Sequence, residues 1–217
     1  MQPDFGLSIF TLVVLILSII IHEVAHGYAA YALGDPTAKH AGRLTLNPAP
    51  HIDIFGSVLV PLFLVITHAG FMFGWAKPVP YNPNNLNRNA FARRFGESVV
   101  AAAGVTTNLL IAVLFAFVAR AAFGSGQEVF GSLSATVCLV NLFLGFFNLI
   151  PIPPLDGYTF LRGLIPYRSS MAFRNFEDRL RAGGVATLFI FLIFFTYVLS
   201  APFYAFVQYV FNALIGT

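Results

Sequence analysis

Three ionisable side chains fall within five residues of an otherwise apolar stretch, His22-Glu23-Val24-Ala25-His26. On a helix, residues i and i+4 share a face, so both imidazoles can meet one metal ion. Glu23 projects about 100° round the helix from His22, where it can take a proton from a water without being a ligand itself. Two histidines to hold zinc and a carboxylate to serve as general base are the parts of the H-E-x-x-H arrangement. Ionisable groups are costly inside a spanning helix, and three so close together are hard to account for as packing. The alternative is a hydrogen-bonded polar cluster without metal. A hydrolytic zinc usually takes three protein ligands and keeps one position open. The best third ligand is Asp156, in Asn148-Leu149-Ile150-Pro151-Ile152-Pro153-Pro154-Leu155-Asp156-Gly157. Its prolines bar a regular helix and predict an extended, rigid backbone that aims Asp156 inward. An ordinary turn Asp before Gly is the alternative reading.

The elements that must position these residues lie in a membrane. Of 217 residues, 58% are hydrophobic and 10% charged, against about 25% charged in soluble domains. Mean hydropathy is +0.79, and 25 Phe stand against one Trp. Such a chain is not a soluble globular enzyme, a disordered tail or a nucleic-acid binder. The single cysteine, Cys138, excludes an internal disulfide and a Cys-based zinc cage, and reads as a small core hydrophobe. No Lys or Arg precedes the first apolar run and Asp4 is acidic, so that run reads as retained rather than as a signal peptide.

Apolar runs suited to crossing a bilayer cover about 7–33, 54–75, 97–123, 129–150 and 184–217. Gly34-Asp35-Pro36 stops the first. Pro61, His68 and Gly70 interrupt the second. Pro202 leaves the last as one long helix or two shorter pieces. The stretch 151–183 mixes Arg168, Arg174, Arg179 and Arg181 with Met171, Phe173, Phe176 and Leu180. It reads as an amphipathic helix on the membrane surface, with a solvated loop as the alternative. If 54–75 spans fully, Lys and Arg divide nine against three; if it dips in and returns, eleven against one. The second is the stronger positive-inside signal, and the interrupting Pro and Gly suit a re-entrant element. The N-terminus is then outside and the long polar loops are cytoplasmic.

HEVAH in a first-half helix followed by NLIPIPPLDG after a later one resembles the site-2 protease family of intramembrane zinc metalloproteases. The likeness covers about residues 7–165. It implies an all-α polytopic membrane protein with a three-helix catalytic core at about 7–33, 97–123 and 129–150. A re-entrant or extended insert and a C-terminal transmembrane helix complete it. Residues 1–217 then form a single membrane-embedded domain, with the amphipathic segment and last helix at about 166–217. No segment reads as a PDZ-like or other soluble domain. The resemblance implies one zinc per chain held by His22, His26 and Asp156, with Glu23 activating water. It places Asn148 near the metal, holding substrate or the developing oxyanion; a helix-ending cap is the other reading. It also makes the HEVAH helix and the Asp-bearing helix run in the same direction, which agrees with a returning insert.

The extended segment at residues 73–83 then lies near the site. Trp75, Lys77 and Pro78 are candidate substrate contacts, its edge pairing with an unwound peptide; a plain surface loop is the alternative. Residues 42–53 resemble a segment of short bacterial members, making His51 and Asp53 candidates for a pair behind the metal or at a gate. One departure is Gly104-Val105-Thr106-Thr107-Asn108, with Val where the family typically has Pro. The resemblance thus implies a zinc-dependent endopeptidase of the bacterial inner membrane, open to the cytoplasm and acting on transmembrane proteins. Substrate identity, cleavage site and oligomeric state stay open. Non-hydrolytic alternatives are a metal transporter or sensor, which needs no Glu23, and a silent scaffold, which needs no intact ligand set.

Overall fold

A computed structural model describes residues 5–59, 66, 76–165 and 167–216. The first apolar run forms α1, Phe5–Ala32, which ends just before Gly34-Asp35-Pro36. One side of it, including Leu12, Val13 and Ile16, stays exposed as a lipid-facing surface would. A short helix α2, Thr37–His40, and turns at Ala49–His51, Ile54–Leu59 and Pro83–Asn85 lead to α3, Ala90–Gly124. Hydropathy predicts α3 from about residue 97. It starts earlier because Asn89 caps it, its side-chain oxygen accepting the Ala92 N–H at 2.8 Å. Arg93 and Arg94 therefore lie on helix, not in a loop. After α4, Glu128–Asn148, the proline segment makes a compact turn rather than an extended strand, with Leu155 N–H donating to Ile152 C=O.

Helix α5, Asp156–Leu164, starts on the aspartate itself. It is followed by α6, Tyr167–Ala182, and α7, Gly184–Phe194. A π-helical stretch, Phe195–Leu199, joins α7 to α8, Ser200–Ile215, so the last span is one continuous helical run. The widened turn sits just before Pro202, whose ring crowds the carbonyl four residues back and donates no hydrogen bond. Among the described residues, four helical stretches are long and apolar enough to cross a membrane: Phe5–Ala32, Ala90–Gly124, Glu128–Asn148 and Phe189–Ile215. No strand occurs among the described residues.

The direction of the helices is set by a few bonds. Arg88 N–H donates to Leu33 C=O at 3.2 Å, and its guanidinium to Ala32 C=O at 2.9 Å. The start of α3 therefore lies beside the end of α1. Within the insert, Lys77 N–H donates to His51 C=O at 2.8 Å. The chain thus returns to the end from which it left, as a re-entrant insert requires; residues 60–65 and 67–75 lie outside the described residues. Helices α3 and α4 form a hairpin, so α1 and α4 run in the same direction. At the far end Arg120 reaches the Leu214 carbonyl at the close of α8.

Small residues Ala112, Ala116 and Ala119 of α3 let α4 and α8 approach, burying Cys138, Leu142, Val207 and Ile215. Phenylalanines then interlock α4 with the last span: Phe143 meets Phe203 at 5.2 Å and 87°, and Phe147 meets Phe195 at 5.1 Å and 82°. Helix α6 is amphipathic, exposing Met171, Phe173 and Phe176. Its inner face is latched to α5. Buried Arg162 pairs with Glu97 of α3 and Glu177 of α6, Arg174 bonds Glu97 at 2.7 Å, and Tyr158 donates to Phe173 C=O.

Candidate metal centre

Helical spacing on α1 brings His22 and His26 together edge to face, their ring centroids 4.6 Å apart and their planes at 89°. The turn after α4 brings the first residue of α5 against them. The two Nε2 atoms lie 3.0 Å apart, and Asp156 Oδ2 lies 3.0 Å from His22 Nε2 and 3.2 Å from His26 Nε2. Among the described residues, His22, His26 and Asp156 form the group of His, Cys, Asp and Glu side chains that could share a metal ion.

The bonds behind the rings decide what sits between them. His22 Nδ1 meets Asn108 Oδ1 at 2.6 Å and His26 Nδ1 meets Val100 C=O at 2.7 Å. Both partners accept only, so both histidines donate from Nδ1 and turn bare Nε2 lone pairs inward. Asp156 Oδ2, buried and without a hydrogen-bond partner among the described residues, completes a trio of acceptors. Such a trio repels itself unless a proton or a cation lies among its members. A tetrahedral zinc about 2.0–2.1 Å from each ligand sets ligand atoms about 3.3 Å apart. Two imidazole nitrogens and one carboxylate oxygen at the observed spacing fit that ion.

Two glycines permit the approach. A Cβ on Gly104 would fall 2.6 Å from His26 Nε2 and 2.7 Å from His22 Cε1, so α3 presses directly on the imidazoles. Val105, in place of the family's Pro, is buried within an unbroken α3. A Cβ on Gly157 would collide with the Leu149 carbonyl oxygen, so α5 can start against the end of α4 only with glycine after the aspartate.

Glu23 Oε2 accepts the Val79 N–H at 2.8 Å, from the segment 76–82, which has no regular secondary structure. Three further residues hold that segment. Arg43 donates to Lys77 C=O at 2.6 Å and Pro78 C=O at 3.3 Å, His51 C=O takes the Lys77 N–H, and buried Asp35 accepts from Asn82 N–H and the Asn85 amide. Burial opposes ionisation of Asp35. Its bonds from Thr37, Asn85 and Asn82 outweigh that and hold its carboxyl below the ordinary carboxylate range. Pro78 and Pro80 have no N–H, and those of Lys77 and Val79 are both engaged inside the fold.

The side chains of the remaining candidate residues bond to backbone groups close by in sequence. Asn148 ends α4 and donates one amide hydrogen to Leu144 C=O at 3.0 Å. Buried His51 donates from Nε2 to Thr45 C=O, while Asp53 accepts the Gly56 N–H and so caps the turn at Ile54–Leu59. Their side chains do not bond each other; the backbone carbonyl of His51 is what reaches Lys77. Lys77 and Pro78 are exposed, and Trp75 lies outside the described residues. Sequence reasoning missed the hold of Asn108 on His22 and of Val100 on His26, and the anchors Arg43 and Asp35. An asparagine in the middle of an apolar run was the available signal for Asn108, since such a group must be paired.

Comparison with known proteins agrees with this geometry. The model of peptidase family M50 matches residues 126–191, which contain the end of α4 and Asp156. The chain is 39% identical over 165 residues to YwhC of Bacillus subtilis, spanning 72% of this chain and 69% of that protein. It is 31% identical over 159 residues to Rip2 of Mycolicibacterium smegmatis, spanning 72% and 58%. With Rip2 of Mycobacterium tuberculosis it shares 25% over 213 residues, spanning 97% and 77%. All three are named as zinc metalloproteases. No solved structure matches the chain. Together with the bundle of apolar helices, the matches to this family and these relatives define a membrane-embedded metalloendopeptidase. The chain belongs to peptidase family M50, the site-2 proteases.

Proposed function

We propose that this protein hydrolyses peptide bonds in transmembrane segments of other proteins, with His22, His26 and Asp156 holding one zinc ion and Glu23 as general base. Residues 1–217 act as one catalytic unit, with its core at about 7–165. The observation that carries the reading is the trio of acceptor atoms 3.0–3.2 Å apart, one residue from a carboxylate. Zinc, when bound, lowers the pKa of water and polarises a carbonyl. Asn108 and Val100 keep the two imidazoles in the ligating tautomer. Glu23 takes the proton of the attacking water and returns it to the leaving amine. The Val79 N–H holds Oε2 of Glu23, leaving Oε1 to accept that proton. Asn148 has a second amide hydrogen, beyond the one on Leu144, to offer the carbonyl oxygen as charge builds on it.

A substrate helix must unwind first, because helical amides are already bonded. Lys77 and Pro78, both exposed, touch the unwound stretch through their side chains; Trp75 is given the same role from its position in the sequence, and His51 and Asp53 act by anchoring the insert. The excess of Lys and Arg on the loops between α1 and α3 and after α4 sets that end, and the mouth of the site, in the cytoplasm of a bacterial inner membrane. The test is co-expression with a panel of single-span membrane proteins. Cleavage by the wild type should disappear with Glu23→Gln; cleavage that persists with Glu23→Gln rules out the base.

A further inference from the structure

Behind the metal ligands a line of buried polar side chains crosses three helices. Ser18 is 4% exposed, and Asn108 and Asn141 are 0% exposed. Asn141, in the middle of α4, donates one amide hydrogen to Val137 C=O at 3.0 Å and one to the Ser18 hydroxyl at 2.9 Å. Its Oδ1 accepts from Asn108 Nδ2 at 2.9 Å, and Asn108 Oδ1 accepts from His22 Nδ1 at 2.6 Å.

The polarity of this line has one fixed end. Val137 C=O cannot donate, so the amide nitrogen of Asn141 must face it. That turns Asn141 Oδ1 toward Asn108, which makes Asn108 present its NH2 to Asn141 and its oxygen to His22. His22 must then carry its proton on Nδ1 and leave Nε2 bare. If Asn108 were reversed, its NH2 would face His22, the proton would move to Nε2, and the nitrogen aimed at Asp156 would be unable to ligate. Asn108 is symmetric enough to sit either way, so it does not choose by itself.

We infer that Asn141 is a positioning residue that selects the metal-ready tautomer of His22, acting through Asn108. The inference rests on His22 being a zinc ligand. It explains why a membrane helix carries a fully buried asparagine two turns from its end. Removing Asn141 frees Asn108 to rotate, so the cost falls on the tautomer and on the metal rather than on packing alone.

The test uses the full chain purified in detergent, with two readouts. Nitrogen-15 NMR of labelled histidine on metal-free protein reports the protonated nitrogen of His22, its signal assigned by loss in His22→Ala. Chelator competition reports zinc affinity. Wild type should show His22 protonated on Nδ1. Asn141→Leu should give a mixture of tautomers and zinc binding weaker by about tenfold or more, the range for partners that orient ligands. Adding Asn108→Asp should restore both, because a carboxylate accepts with either oxygen and has no polarity to lose. If Asn141→Leu does not insert, Asn141→Ser serves, since a rotating hydroxyl imposes no direction. Wild-type tautomer and affinity without Asn141, or no rescue by Asn108→Asp in an inserted double variant, overturns the relay. If His22→Ala leaves zinc binding unchanged, the ligand assignment has failed instead, and the metal-free spectrum still reports on Asn141.

Discussion

Gly104→Ala separates stability from metal binding. The added Cβ would stand 2.6 Å from His26 Cε1 and Nε2 and 2.7 Å from His22 Cε1. Ordinary contact begins near 3.4 Å, so one side must yield by about 0.8 Å. Neither imidazole can do so cheaply, because Asn108 and Val100 hold their Nδ1 atoms at 2.6 and 2.7 Å. The rings, or α3 itself, must shift away from the ligating geometry. Displacing the centre by most of an ångström should cut cleavage about 10²-fold and zinc affinity about 10- to 100-fold. Alanine is favoured over glycine by about 1 kcal/mol in a helix interior, which offsets part of the cost of that shift, so thermal stability should change far less than zinc affinity. The assay is thermal unfolding of metal-free protein beside chelator competition and a substrate-cleavage time course. Unchanged zinc affinity and turnover in Gly104→Ala would refute the close packing of α3 on the ligands.

Asp156→Asn should weaken zinc binding and abolish turnover without impairing insertion of α4. Asp156→Glu should retain little activity, because Gly157 and the proline turn fix how far the carboxylate reaches; elemental analysis and cleavage assays check both. In a Cys138→Ala background, single cysteines at Leu46, Asn84 and Arg179 should be labelled from one side of the membrane and one at Ser125 from the other. Labelling of Leu46 and Asn84 from opposite faces would contradict a returning insert. Asp35→Asn should cost about 2–3 kcal/mol at neutral pH, since it weakens bonds from several donors to a buried charge. The carboxyl of Asp35 is held below its unfolded value of about 3.9, so its contribution is complete above that pH and is lost as pH falls through the lowered folded value. The gap in melting temperature between wild type and Asp35→Asn should therefore narrow with acidification; a gap that widens would refute the sign.

The clustering of His22 with His26 was legible because it is dense and local. Two histidines at i and i+4 meet on any helix, and packing alone gives an apolar run no reason to carry HEVAH. Asp156 could be named because prolines and a glycine mark the turn that aims it. The return of the insert was legible in the charge asymmetry, since Lys and Arg record topology whatever the backbone does between them. The start of α3 at Ala90 was not, because hydropathy reports where a helix leaves lipid and not where Asn89 caps it. Helix α5 was hidden by the prolines before it, which mark a break but carry no sign of a helix beyond it. The hold of Asn108 on His22 joins residues 86 positions apart, and no local pattern encodes such a pairing. Asn148 stood out for its place in the motif, whereas Asn141, seven residues earlier, carried the same cue of a polar group in an apolar helix.

X-ray absorption at the zinc edge of the purified protein tests the metal centre most directly. The expected result is about one zinc per chain, surrounded by two imidazole nitrogens and oxygen at about 2.0–2.2 Å, with no sulfur. His22→Ala and His26→Ala should each remove most of the metal. Zinc content and spectrum unchanged in both variants, or sulfur from Cys138 among the nearest neighbours, would contradict a centre built from His22, His26 and Asp156.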